Sequence, residues 1–304
     1  MSTRRVRLRA FAKVNLSLEV LRKRADGFHD IRTIFQTISL ADILEIEWRP
    51  SQRSSIAIDG NVLIENNLVV RAAEALKIKG SVRFSLTKKI PMGAGLGGGS
   101  SDAAAVLLAL PVVAGRRIVM ERLLEIGASL GSDIPFFLVG GTALGLGRGT
   151  ELYPLPDACG GPGLIVSPGI HVSTTAAYRA LTLDSQLPKI NISQSVALSG
   201  EAWSRFSGND FETAVFRQHP QLSTIRRTLE KAGGRPARMT GSGSALFALF
   251  GSAEERRSAS TLLDRYATLP FSLIKRSRYR ALWRRQLGEH VQGNAWPPQS
   301  RYSQ

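Results

Sequence analysis

Eleven residues in the first half of the chain have the types and spacing needed to hold an anion: Pro91, Met92, Gly93, Ala94, Gly95, Leu96, Gly97, Gly98, Gly99, Ser100 and Ser101. Glycines let a backbone turn several N–H groups inward, and the two serines add hydroxyls that reach phosphate oxygens. Residues 82–86 alternate apolar and polar side chains and read as a half-buried strand. The Ala/Leu-rich run at 103–110 reads as a buried helix with Asp102 in its first turn. Strand, glycine loop and helix start, in that order, make a site whose natural ligand is a nucleotide phosphate. A glycine run can also be no more than a flexible turn. The bounding Pro91, the paired hydroxyls and the immediate helix favour the phosphate. The loop lacks the Gly-Lys-Ser/Thr ending of a Walker loop and lies too far along the chain for an opening dinucleotide fingerprint.

Other residues could act on such a ligand. Asp133 stands between Ser132 and a helix start, where it is either a catalytic base or a carboxylate that complements the helix dipole. Lys13 lies among apolar neighbours on a predicted strand, an unfavourable place for a free ammonium unless it snorkels outward from an edge. Asn15, two residues on, shares its face. Thr240, Gly241, Ser242 and Gly243 form either a second turn of N–H groups and hydroxyls for phosphate or a plain β-turn.

These residues need a scaffold, and the pattern predicts a mixed α+β fold in two parts. Strand-like segments fall at 6–12, 14–21, 31–39 and 43–48, with a turn at 25–27. Asn66 and Asn67 cap a helix over 68–76, and further helices are expected at 118–130 and 134–139. The Pro/Gly-dense stretch 154–163 reads as a linker. Beyond it the pattern predicts a strand at 164–166 and helices at 174–181, 193–206, 211–216 and 222–231. Strand, turn and strand follow over 238–250, then a helix at 253–266 and a last strand at 271–275. The expected division is 1–155, 162–285 and a loose basic tail at 288–304.

The composition limits the function. With 43% hydrophobic and 21% charged residues among 304, the chain can bury a large core. One cysteine, no apolar leader after the basic N-terminus and no bilayer-length apolar run point to a cytoplasmic protein with no membrane partner. The net charge of +16 calls for an anionic partner. Much of the excess sits in the last thirty residues and no recognition module is visible, so a solvated basic terminus is favoured over a nucleic-acid site.

Three blocks together resemble the GHMP kinases, small-molecule kinases named for galactose, homoserine, mevalonate and phosphomevalonate: Ala12-Lys13-Val14-Asn15-Leu16, the loop 91–101, and Thr240-Gly241-Ser242-Gly243-Ser244. Arg24-Ala25-Asp26-Gly27-Phe28-His29, the triple glycine 97–99, Gly131-Ser132-Asp133-Ile134-Pro135 and Asn209-Asp210-Phe211-Glu212 are similar to the branch acting on a diphosphocytidyl conjugate of methylerythritol. The resemblance implies a ribosomal-protein-S5-like N-terminal domain and a ferredoxin-like C-terminal domain, with the active site in the cleft between them. It implies ATP-dependent phosphorylation of a C2 hydroxyl in non-mevalonate isoprenoid synthesis, with mevalonate- or homoserine-type kinases as the nearest alternative. In that reading Asp133 is the base, Lys13 its partner and Asn15 a hydroxyl-orienting group. His29 reads cytosine, and Tyr178 and Phe28 wall it, with Phe28 standing where tyrosine is common. Mg²⁺ comes with ATP, held mainly by phosphates and water, because no acidic or histidine cluster marks a protein-built cage. The expected assembly is a monomer or weak homodimer.

Overall fold

A computed structural model describes residues 2–181 and 208–303; the helix expected at 193–206 lies outside them. The four strands expected at the N-terminus are two long ones, β1 (Arg4–Lys23) and β2 (His29–Arg49), paired antiparallel along their length. Up to residue 10, β1 alternates buried Val6, Leu8 and Ala10 with exposed Arg5, Arg7 and Arg9, the pattern of a sheet with one wet face. From Phe11 to Leu18 every residue is buried, because the second half of the molecule covers the other face. The pairing slips between Phe11 and Lys13 and again between Asn15 and Ser17. Such bulges re-aim side chains, and here they fall beside the buried Lys13 and Asn15.

The first sheet is completed by β3 (Ser55–Gly60), β4 (Ser81–Thr87), β5 (Thr142–Leu146) and β6 (Glu151–Pro154), in the order β3-β4-β2-β5-β6 with β1 on β2. Its helices are α1 (Leu68–Leu76), capped by the Asn67 side chain, α2 (Gly98–Ala114), α3 (Met120–Leu130) and α4 (Ile134–Val139). Every residue of α2 from Ser101 to Val113 is buried, as expected for a helix that is apolar all round.

The second sheet runs β10-β7-β9-β8, all antiparallel, from β7 (Gly163–Ser167), β8 (Ala237–Met239), β9 (Leu246–Leu249) and β10 (Ala267–Phe271). With it go α5 (Thr174–Arg179), α6 (Phe211–Gln218), α7 (Pro220–Lys231) and α8 (Ala253–Leu262). Ala12, Val14, Ile34 and Leu96 from the first half pack with Ile165 and Phe247 from the second, so the two halves share a core layer beneath the cleft.

The C-terminus differs from expectation. No strand occupies 271–275 as predicted: β10 ends at Phe271, and a helix α9 (Arg276–Leu287) follows. Tyr279, Trp283 and Leu287, spaced four apart, bury into the core of the first half rather than extending the second to residue 285. The segment expected to be a loose tail is packed. β11 (Val291–Gln292) pairs β12 (Gln299–Ser300), His290 bonds Arg5 O, and the Trp296 indole donates to Leu138 O at 3.0 Å. The density of arginines in this segment concealed a stripe of three large apolar side chains.

Candidate active site

The two halves enclose a cavity of about 1110 Å³. The glycine loop forms one wall, and its alternation explains its sequence. Gly93, Gly95 and Gly97 have φ of +64°, +77° and +71° and line the cavity, while the intervening Ala94 and Leu96 point into the shared core. Gly95 also has no room for a side chain, since a Cβ there would lie 2.1 Å from Thr240 O. The helix begins earlier than expected. Gly98, Gly99, Ser100 and Ser101 are the first turn of α2, and Asp102 lies in the second. The Ser101 hydroxyl is spent on Phe11 O at 2.7 Å. Pro91 and the exposed Met92 precede the cavity wall.

Lys13 and Asp133 meet at the floor. The ammonium is 3.5 Å from Asp133 Oδ2, and the lysine side chain is only 3% exposed against 33% for the aspartate. Burial lowers the Lys13 pKa from its ordinary value and the Asp133 charge opposes that shift. Asp133 occupies the N-cap position of α4 but makes no capping hydrogen bond, which leaves its carboxylate directed at the cavity and the lysine.

Asn15 ties this floor to the opposite wall. Its amide oxygen accepts from Lys13 Nζ at 2.5 Å and Gly241 N at 3.0 Å, and its Nδ2 donates to Thr33 Oγ1 at 2.7 Å. Thr240, fully buried, accepts from Asn15 N at 3.1 Å. Gly241, Ser242 and Gly243 face the cavity. The turn is held from behind by Asn209, whose Nδ2 donates to Met239 O and Gly241 O at 2.9 and 2.7 Å. Asn209 is marked in the sequence only by the block 209–212, which gives it no role, and Thr33 is not marked at all, because their work is done on backbone and side chains elsewhere in the chain.

At the other end stand Phe28, His29 and Tyr178. The His29 and Tyr178 rings stack at 4.4 Å and 17°, so one face of the tyrosine is covered by the histidine. Burial and then Lys23 lower the His29 pKa, which favours the neutral imidazole. Arg148, unforeseen but flagged by its flanking glycines 147 and 149, lies 3.5 Å over the Phe28 ring. Lys23, Arg148 and Arg179 join Lys13 on the cavity wall against Asp133, the single carboxylate among the described lining residues. Such a cavity favours a polyanion.

The sequence pattern of the GHMP kinases N terminal domain matches residues 67–141, and that of the GHMP kinases C terminal domain matches residues 189–267. The chain belongs to the GHMP kinases, the ATP-dependent small-molecule kinases. It is 52% identical to the 4-diphosphocytidyl-2-C-methyl-D-erythritol kinase of Solibacter usitatus (strain Ellin6076), over 99% of each chain. It is 39% identical to the kinase of that name from Thermodesulfovibrio yellowstonii, over 85% of this chain and 94% of that one. A crystal structure of 4-(cytidine 5'-diphospho)-2C-methyl-D-erythritol kinase superposes with a TM-score of 0.75 at 36% identity, covering 88% of this chain and 98% of that one. Among the described residues no helix is long and apolar enough to cross a membrane.

Proposed function

We propose that this chain transfers the γ-phosphoryl group of ATP to the C2 hydroxyl of 4-diphosphocytidyl-2-C-methyl-D-erythritol, giving the 2-phosphate and ADP, in cytoplasmic isoprenoid precursor synthesis by the non-mevalonate route. The observation that carries the reading is the Lys13–Asp133 pair on the floor of a basic cavity between the glycine loop and the Thr240–Gly243 turn. The names of the relatives supply the substrate.

In this reading the N–H groups of Gly93, Gly95 and Gly97 and the start of α2 hold the ATP phosphates, and the 241–243 turn closes on them. Asp133 accepts the proton of the C2 hydroxyl as its oxygen bonds to the γ-phosphorus and the bond to the bridging oxygen of ADP breaks. Lys13 keeps Asp133 ionised and draws the hydroxyl toward it. Asn15, whose oxygen is engaged by Lys13 and Gly241, positions Lys13 and leaves one Nδ2 hydrogen for the substrate. Cytosine lies at the Phe28–His29–Tyr178 end, where a neutral imidazole can both donate and accept. Mg²⁺ arrives with ATP and neutralises phosphate charge when bound. Among the described residues no group of three His, Cys, Asp or Glu converges, and the donors lining the cavity fit an ion held by phosphates and water.

The test is ADP release with purified protein on this compound, mevalonate and homoserine, with ³¹P NMR of the product. Phosphorylation at C2 of the cytidine compound alone is expected. Turnover of mevalonate or homoserine, with none of the cytidine compound, would overturn the substrate assignment.

A further inference from the structure

Behind the glycine loop lies a buried charge cluster that phosphoryl transfer does not use. Lys88, at the exit of β4, contacts Asp42 of β2 and lies 2.7 Å from Asp102 Oδ2 of α2. Asp42 is 0% and Asp102 2% exposed. The cluster sits directly under the first helical residue, since a Cβ on Gly98 would lie 3.1 Å from Lys88 Nζ and 3.3 Å from Asp42 Oδ2.

The two carboxylates are treated unequally. Asp42 takes the Lys88 ammonium and the backbone N–H groups of Lys89 and Ile90, so its charge is fully compensated. Asp102 takes no backbone N–H: it shares the lysine and lies against the Asp42 carboxyl, and its buried Oδ1 has no hydrogen-bond partner among the described residues. Lys88 and Asp42 are the charged groups acting on it. From α1, the nearest approach to the adjacent Gly99 is apolar Leu68, and the Lys13 ammonium of β1 is paired with Asp133 near α4. One lysine cannot neutralise two buried carboxylates, so a single proton on Asp102, facing the neighbouring Asp42 carboxylate, removes the excess charge. Burial and the neighbouring Asp42 outweigh Lys88 and push Asp102 up to about 7.

We propose that Asp102 sets the charge of the phosphate site. With its proton the cluster is neutral and the positive end of α2 is free for the nucleotide; without it a net negative charge lies under the phosphates and weakens nucleotide binding. The inference rests on the kinase reading of the glycine loop. Its consequence is a nucleotide affinity that falls as pH rises through neutrality, on the order of tenfold for one added charge beneath the helix start.

ADP binding to the intact protein is measured by calorimetry at pH 6 and pH 8, for wild type and Asp102→Asn. Asparagine keeps the shape and the acceptor for Lys88 but has no proton to lose. The wild type should weaken about tenfold more between the two pH values than the variant. Identical pH profiles would overturn the inference while leaving the kinase reading intact; no ADP binding to the wild type at either pH would instead sink that reading and the inference with it. Should the variant fail to fold, ¹³C-carboxyl NMR of aspartate-labelled wild type decides. An aspartate titrating near neutrality and shifted by ADP is expected, and a set that all titrate below pH 5 would refute the idea.

Discussion

Asn15 and Gly241, 226 positions apart, are joined across the cleft by a 3.0 Å hydrogen bond from the Gly241 N–H to the Asn15 amide oxygen. The same oxygen accepts from Lys13, so one side chain sets both the lysine and the facing turn. Asn15→Leu would leave the buried Lys13 ammonium and Gly241 N–H without that acceptor. We expect a loss of roughly 1–3 kcal/mol in unfolding free energy together with reduced kcat. Denaturant unfolding and steady-state kinetics check it; a variant of unchanged stability would mean the cleft is not held there.

Gly95→Ala should be more damaging to turnover than its size suggests. The residue has φ +77° and a Cβ would collide with Thr240 O at 2.1 Å, so the loop and the 240–243 turn must move apart. A sharp rise in KM for ATP is expected, measured by ADP release. Gly99→Ala is the control, because the nearest neighbour of its Cβ is 3.7 Å away.

Much of this arrangement was legible in the sequence, and the failures share a cause. The glycine loop, Lys13 and Asp133 announce themselves because unusual residue types stand in otherwise apolar or helical surroundings. The capped α1 was readable from Asn67 and its apolar period. Hidden were the role of Asn209, Thr33 and the Asp42–Lys88–Asp102 cluster, whose partners come from elsewhere in the chain. α9 was missed because arginines outnumber the apolar stripe that buries it.

That stripe makes the C-terminus a structural element. Truncation after Leu287 removes the Trp296 indole from Leu138 O, and the Tyr302 ring, 3.6 Å under the Arg4 guanidinium, from the first sheet. A Tm lowered by several degrees is expected in calorimetry, with no change in affinity for RNA or DNA. An unchanged Tm would restore the loose tail.

Lys13 gives activity and stability opposite pH trends. Its pKa lies below the ordinary 10.5, so between the lowered value and 10.5 the folded chain binds fewer protons than the unfolded one. Stability therefore rises with pH across that window, while turnover, which needs the ammonium, falls. Lys13→Met should abolish both trends. Wild-type kcat flat to pH 10.5 would contradict the role of the charged lysine.

The most direct measurement is kcat for Asp133→Asn with the cytidine substrate, beside ADP affinity and Tm. With Asp133 as the base, kcat falls by roughly 10²–10⁴-fold while ADP affinity holds and the protein stays folded. Adding Lys13→Met to it should lower kcat little further, because the two act as one unit. Near-normal turnover with lost stability would contradict this, making Asp133 a structural carboxylate and leaving catalysis to positioning by Lys13 and the glycine loop.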